Sequence, residues 1–402
     1  MTRRSIPANT FALILARVFT AVMSLTTAGI AARQLGEAAF GTYASVLVAG
    51  FLANTLVTFG TDTLIVRSTS RGDASHVVRN SIGLQLVIVS VVVLAAVVTT
   101  AFLGPRALPL LVQSVGLIFG VWATASSAVL RGRERMDLAS TAASTGAVVG
   151  LLGAIVANAT DGSVTAFIAA GVVGQAVVAG LGSLFGSRAV RSQRWRHTWR
   201  PQWSGEVWAE ARPFAGMVAA TAVATSVGIL SLKLTGSGTA TGQYAAANRL
   251  SEGLQLAPAA VFGAAFPAMS RGIHLKHQYV SSLRYLTASL VGLVALTVVF
   301  ADQIIEITFG GFDQSSTLLR ILSLGVLPAL VRVRWSFELL AVGAEREVAK
   351  LAFAGAAMSI ALTFGAAILW GSTMVAIAFV SGLVIQALLL RSPHHRTIGR
   401  PF

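Results

Sequence analysis

Residues 188–212 read RAVRSQRWRHTWRPQWSGEVWAEAR, and this segment decides how the rest of the chain is interpreted. It holds six arginines and four tryptophans near the middle of an otherwise strongly apolar chain. Long hydrophobic runs lie on both sides of it, six before and six after. A basic segment bordered by tryptophans between apolar spans is typical of a cytoplasmic loop, with the indole rings at the headgroups. The segment is therefore predicted to connect two halves of a membrane protein on the cytoplasmic side.

The composition argues against a soluble protein. Hydrophobic residues make up 55% of the 402 residues and charged residues 11%, whereas soluble domains carry about 25% charged residues. The formal charge of +15 does not indicate nucleic-acid binding, because the basic residues lie in short segments between apolar runs. The chain has no cysteine, which excludes disulfides, iron–sulfur clusters and thiol catalysis.

Twelve runs are long enough to cross a bilayer, which requires about 20 apolar residues. The first run, after Arg3 and Arg4, is too long for the core of a signal peptide and is predicted to be an uncleaved first helix. The predicted spans are 10–32, 41–66, 80–103, 107–130, 138–158, 163–186, 213–235, 241–269, 283–305, 317–342, 348–370 and 372–391.

The distribution of lysine and arginine predicts the orientation. Alternate connecting segments, counted with both termini, hold 22 of these residues, whereas the opposite set holds only Arg33 and Arg106. This bias predicts a multi-pass protein of the cell membrane with both termini in the cytoplasm. All six histidines fall in the segments predicted to be cytoplasmic.

The two halves repeat each other. LGEAAFGTYA at 35–44 is echoed by GTATGQYAAA at 238–247, which aligns Gly41 with Gly242. Ser-Arg-Gly at 70–72 matches 270–272, and Gly132 with Glu134-Arg135 matches Gly343 with Glu345-Arg346. Both copies begin on the same side, so the repeat is parallel, and a binding site is expected between the halves. The predicted organisation is an N-terminal six-helix bundle at 1–186, a basic linker at 187–212 and a C-terminal six-helix bundle at 213–402.

The sequence resembles the polysaccharide-transport, or O-antigen flippase, branch of the multidrug/oligosaccharidyl-lipid/polysaccharide exporter superfamily. The resemblance rests on ARQLGEAAFGTYA at 32–44, GQYAAANRLSEGLQLAPAAVFGAAFPAMSR at 242–271 and ADQIIEITFGGFDQSSTLLRILSLG at 301–325. It implies an all-α integral membrane protein that moves polyprenyl-pyrophosphate-linked sugars from the inner to the outer leaflet by alternating access. Lys233 stands near a position where many relatives have an acidic residue, which puts any ion-coupling site there in doubt.

Several basic residues fall inside the predicted spans, where a charge normally faces a partner or a wet cavity. Arg17 lies about 10 Å, and Arg249 about 12 Å, from the nearer helix end, too deep to reach the headgroups easily. Arginine binds pyrophosphate through planar, bidentate donors. The predicted cationic substrate site consists of Arg17, Arg249, Arg332, Arg334 and Lys233.

Simpler interpretations of these residues stay open. Arg249 can pair with Glu252, and Arg334 with Glu338, at helical spacing. Lys233 and Arg320 lie near helix ends and can extend to the headgroups.

Three acids in the spans are candidates for ion coupling: Glu252, Asp62 and Glu338. Glu252 is the best placed, because it lies one turn from Arg249 and could compete with a substrate phosphate. Asp62 lies near a helix end, where it could simply cap the helix or pair with Arg67.

Other functions find little support. The chain has no phosphate-binding loop for ATP, and His274-x-x-His277 lacks acidic partners for a metal. We expect a monomer without enzymatic activity, cofactor or metal, whose partners are a lipid-linked oligosaccharide, membrane lipids and a polysaccharide polymerase or glycosyltransferases. The alternative is a multidrug exporter of the same fold. A membrane glycosyltransferase and an inactive transporter-like scaffold are more distant rivals.

Overall fold

The computed structural model describes residues 6–71, 75–189, 201–202, 205–269 and 277–398. Three features predicted from sequence therefore lie wholly or partly outside the described residues: most of the basic linker, the Ser-Arg-Gly match at 270–272, and His274. The described residues form helices without strands.

Fourteen α-helices occupy the described part of the chain, and they cover the twelve predicted spans, although not one helix for each span. A 3-10 turn, Gly104–Ala107, separates the third and fourth helices where the sequence has Gly-Pro-Arg. The helices are α1 Ile6–Thr58, α2 Thr61–Arg71, α3 Ser75–Leu103, α4 Leu108–Gly132, α5 Met136–Ala159, α6 Val164–Ala189, α7 Gly205–Leu234, α8 Gly238–Met269, α9 His277–Val299, α10 Ala301–Thr308, α11 Asp313–Leu324, α12 Val326–Ala341, α13 Glu345–Leu369 and α14 Ser372–Ile398.

Two of the predicted spans are joined in α1, which contains a kink at Gly36 (φ 69°, ψ 174°). Other spans are broken: Phe59 and Gly60 have positive φ between α1 and α2, and α9 meets α10 at a bend of 74°. Among the described residues, seven helical stretches are long and apolar enough to cross a membrane by themselves, or eight if α9 and α10 count as one span. The protein is an all-α, multi-pass membrane protein.

By packing, the chain divides into two units. Unit 1 comprises residues 1–35 and 45–222, and unit 2 comprises residues 36–44 and 223–402. The short 36–44 segment of the N-terminal half thus belongs to unit 2. The division in the second half of the chain falls inside α7.

Unit 1 has an apolar core between α2, α3 and α4, built from residues such as Ile65, Ile82 and Val121. In the same unit α5 and α6 cross closely at Gly146 and Gly174. A Cβ atom added at Gly174 would lie 2.6 Å from the Gly146 carbonyl oxygen, and one at Gly146 would lie 2.7 Å from the Gly174 oxygen. Only glycine allows two helix backbones to approach in this way.

Unit 2 has a core between α8, α9 and α12 that includes Phe262, Leu290 and Leu330. The 36–44 segment packs within this unit: the ring of Phe40 lies 5.6–5.9 Å from those of Phe309 and Phe312. The two glycines that the repeat aligns, Gly41 and Gly242, lie against one another, because a Cβ atom at Gly41 would lie 2.8 Å from the Gly242 nitrogen. Large residues would not fit at this repeated Gly-x-Tyr motif.

Candidate functional site

Unit 1 contains a cavity of about 440 Å³ formed by α1, α4, α5 and α6. Two arginines and four hydroxyl groups line it, and none of its described lining residues carries a carboxylate. The lining consists of Ala16, Arg17, Thr20, Ala123, Thr124, Ser127, Arg131, Ala139, Ser140, Ala143 and Val178. The lining is therefore cationic and polar, although it lies among membrane helices.

Arg17 enters the cavity from α1. Its side chain is exposed in the unit, and the neighbouring Thr20 hydroxyl donates to the carbonyl oxygens of Ala16 and Arg17, each at 3.0 Å. Binding its hydroxyl to the helix backbone in this way lets a threonine lie on a membrane helix at little cost. Arg17 thus stands beside a hydroxyl-bearing turn and lines the cavity, and its role in binding substrate stays a prediction.

Arg131 lies in the last turn of α4 and is the second arginine of the cavity. By sequence Arg131 falls among the loop charges, and it is not one of the predicted site residues. Its Nη2 atom lies 3.6 Å from Asp62 Oδ2, and both side chains are about one-third exposed (38% and 35%). The partner of Asp62 in the structure is thus Arg131, 69 residues away, and not the nearby Arg67.

Two polar atoms of the lining are shielded from solvent and have no hydrogen-bond partner among the described residues: Arg131 Nε and Ser140 Oγ. The turn between them is fixed by Arg135, whose Nε and Nη2 donate to the Asp137 carboxylate at 3.0 and 3.2 Å. That hydrogen bond raises the pKa of the Arg135 guanidinium. The turn thus holds Arg131 and Ser140 at one end of the cavity, where Arg131 Nε and Ser140 Oγ make no hydrogen bond to the described residues.

In unit 2, Arg249 pairs with Glu252 at 3.4 Å, and Asn248 donates to the same carboxylate at 2.7 Å. This is the local ion pair that the helical spacing allows. The Glu252 side chain is 49% exposed, so the pair is not enclosed by protein. In the structure Arg249 is therefore already neutralised by an acid on its own helix.

Arg334 and Glu338 also form the pair expected from their spacing, at 2.9 Å. A third member was not expected: His394 Nε2 lies 2.5 Å from the other oxygen of Glu338, and the two side chains are 2% and 4% exposed. That His394 lies on the cytoplasmic side stays a prediction, but its burial against Glu338 was not predicted. Helix α14 continues to Ile398, which brings His394 of α14 against α12, beside Trp335.

The remaining predicted basic residues are distributed over unit 2. Arg332 on α12 is partly buried, and its Nε has no hydrogen-bond partner among the described residues. Lys233 Nζ donates to Thr42 Oγ1 at 3.1 Å, and Arg320 donates to Asp302 at 2.7 Å. The structure therefore places Lys233 and Arg320 near helix ends with polar partners.

Unit 2 has a second cavity of about 480 Å³ with the opposite character. It lies beside α10 and α11 and carries three carboxylates, one of them the Asp302 that pairs with Arg320. The lining consists of Asp302, Gln303, Ile305, Glu306, Phe312, Asp313 and Ser316. Over the described part of the chain, no three histidine, aspartate or glutamate side chains converge in a way that could hold a metal ion.

Solved structures with the same fold are membrane transporters. An inward-facing multidrug resistance transporter of the MATE family superposes with a TM-score of 0.77 at 14% identity, over 99% of this chain and 100% of the other. The lipid II flippase MurJ in an inward closed conformation gives 0.73 at 13% identity, over 95% and 87%. A transporter of the same superfamily from Pyrococcus furiosus, described by the reverse polarity of its binding pocket, gives 0.66 at 16% identity, over 99% and 98%.

Sequence comparison identifies the family. No curated protein sequence matches the chain. A model of the polysaccharide biosynthesis protein family matches residues 6–273, which is more than half of the chain. The chain therefore belongs to the polysaccharide biosynthesis protein family and has the fold of the multidrug/oligosaccharidyl-lipid/polysaccharide transporters.

Proposed function

We propose that this protein flips a polyprenyl-pyrophosphate-linked oligosaccharide from the inner to the outer leaflet of the cell membrane by alternating access. The observation that carries the proposal is the cationic cavity of unit 1, in which Arg17 and Arg131 stand together. Membership in a polysaccharide biosynthesis family supports the same substrate class.

The cavity suits an anionic, hydroxyl-rich headgroup. Arginine presents a rigid fork of donors that matches phosphate oxygens, and each charge-assisted bond contributes about 1.5–3 kcal/mol. Thr20, Thr124 and Ser127 add hydroxyl groups that can exchange hydrogen bonds with a sugar. A volume of about 440 Å³ lies within the usual range of about 300–1,000 Å³ for ligand cavities. It accommodates a diphosphate and part of one sugar, while the polyprenyl chain stays in lipid.

The alternative function is export of a cationic drug, as expected of a multidrug exporter. The acidic cavity of unit 2 is the observation in its favour, because Asp302, Glu306 and Asp313 would attract a cation. Asp302 is, however, already paired with Arg320. The arginines of unit 1 would repel a cation, which is why we favour the anionic substrate.

The proposed flippase has a defined orientation in the membrane and defined partner enzymes. Both termini and the basic linker at 187–212 lie in the cytoplasm, as the excess of arginine and lysine in these segments indicates. The chain moves its substrate without modifying it, between glycosyltransferases that build the oligosaccharide and a polymerase that uses it. Alternating access would move the two predicted six-helix bundles, 1–186 and 213–402, and the substrate headgroup would bind in the unit 1 cavity.

The test is transport by the purified protein in proteoliposomes. One assay follows a fluorescent polyprenyl-pyrophosphate disaccharide from one leaflet to the other, and the second follows a cationic dye. We expect the lipid to cross and the dye to be excluded, with lipid transport reduced at least about 10-fold in Arg17→Ala, the cost of one charge-assisted bond. Arg106→Ala is the matched control, because this exposed arginine lies outside the cavity. Transport of the dye alone would refute the proposal.

A further inference from the structure

We propose that Arg131 is the main phosphate anchor of the unit 1 cavity and that Asp62 is a displaceable counter-ion. In this arrangement the carboxylate holds Arg131 while the cavity is empty, and an entering diphosphate takes its place. The inference rests on the proposed function, since it names the group that recognises the substrate's anionic part. It concerns two residues that the sequence places in or beside loops.

The geometry of Arg131 leaves it available to a ligand. Its contact with Asp62 is 3.6 Å, beyond the range of a good hydrogen bond. Its Nε atom is shielded and has no hydrogen-bond partner among the described residues, although the side chain lines the cavity. The guanidinium is therefore attracted to Asp62 but not saturated by it. Phosphate oxygens could accept from several of its N–H groups at once.

The position of Asp62 allows it to leave. It lies in the first turn of α2, where the helix dipole stabilises a carboxylate without any cation. The turn itself is fixed by other contacts: Thr61 is buried and accepts a hydrogen bond of 2.6 Å from Gln85, and Leu64 packs against Val207. Asp62 can therefore rotate away from Arg131 without loosening α2.

The charges around the cavity favour the replacement of Asp62 by a diphosphate. In the empty state Asp62 offsets one of the two arginine charges, which lowers the repulsion between Arg17 and Arg131 across the cavity. A diphosphate carries at least two negative charges and can satisfy both arginines together. The hydroxyl of Ser140, which has no hydrogen-bond partner among the described residues, supplies a further donor. A carboxylate that is one-third exposed and 3.6 Å away is the weaker partner, because water screens such pairs.

A purely structural role for the pair makes the opposite prediction. If the Asp62–Arg131 pair only ties α2 to α4, losing either charge removes the same contact and impairs the protein in the same direction. If Asp62 competes with the ligand, losing its charge strengthens ligand binding while losing Arg131 weakens it. The sign of the effect at Asp62 therefore separates the two roles.

The experiment measures equilibrium binding of farnesyl diphosphate to the full-length protein in nanodiscs of neutral lipid. We expect Arg131→Ala to weaken binding about 10- to 100-fold, as loss of a charge-assisted bond does, and Arg131→Lys to recover part of it. We expect Asp62→Asn to strengthen binding by up to about 5-fold, the effect of an exposed ion pair. Arg106→Ala, which removes an arginine away from the cavity, serves as the matched control.

Three outcomes would overturn the inference: weaker or unchanged binding in Asp62→Asn, wild-type binding in Arg131→Ala, or equal competition by an anionic phospholipid, which would make this a lipid-headgroup site. Thermal unfolding of each variant shows whether a loss of binding reflects misfolding, and Arg131→Lys provides the folded comparison. Binding does not depend on transport. If the lipid does not cross the bilayer but the binding results are as expected, the flippase proposal is refuted and the anion site is supported. If the lipid crosses but the binding results are not as expected, the flippase proposal is supported and the anion site is refuted.

Discussion

Replacing Glu338 by glutamine is predicted to destabilise unit 2 far more than the same change at Glu252. Both acids pair with an arginine on their own helix, but Glu338 is 4% exposed and Glu252 is 49% exposed. Glu338 also accepts from His394 through its second oxygen. The glutamine keeps the shape of the side chain and removes only its charge. The two substitutions therefore compare a buried ion pair with an exposed one.

The expected loss of stability in Glu338→Gln depends on Arg334, the cation that loses its counter-ion. Removing one partner of a buried ion pair costs about 3–5 kcal/mol, because the remaining charge has no counter-ion. Arg334 is 29% exposed, and water offsets part of this cost, so we expect the lower end, about 3 kcal/mol. For Glu252 the expected loss is below about 1 kcal/mol, as for other exposed pairs.

The assay is denaturant unfolding of the purified protein in mixed micelles, followed by helical circular dichroism. A double variant, Glu338→Gln with Arg334→Gln, should recover part of the lost stability because it removes the stranded cation. Equal losses in Glu338→Gln and Glu252→Gln, or no recovery in the double variant, would refute the argument that burial makes the difference.

Three further predictions concern topology, packing and energy coupling. An impermeant thiol reagent added to intact cells should label a cysteine at Ser237 but not at Ser192, and the reverse pattern would invert the proposed orientation. Gly174→Ala should destabilise the protein by about 1–3 kcal/mol, because its Cβ would lie 2.6 Å from a carbonyl oxygen of α5. Gly171→Ala on the same helix meets no atom within 4 Å and should be neutral or slightly stabilising in the same unfolding assay. If Glu252 couples transport to protons, Glu252→Gln should abolish the response of proteoliposomes to an imposed pH gradient, whereas an unchanged response would make it only the ion-pair partner of its arginine.

Local sequence determined the membrane helices and the contacts within each of them. A membrane helix satisfies its own backbone hydrogen bonds and needs about 20 apolar residues, so each span can be recognised without its neighbours. The pairs Arg249–Glu252 and Arg334–Glu338 follow from helical spacing for the same reason. The repeat anticipated that the motifs around Gly41 and Gly242 are equivalent, although not that the two glycines touch.

Only the tertiary structure decided which charges meet across helices. Asp62 and Arg131 are 69 residues apart, and the approach of α2 to α4 brings them together. Glu338 and His394 are 56 residues apart and meet because α14 continues beyond the apolar part of its span. Neither contact has a signature in spacing or hydropathy, since it depends on which faces of two helices pack together. The sequence therefore determined that this is an all-α membrane protein of many helices, whereas packing between helices decided where its cationic cavity lies and which arginines line it.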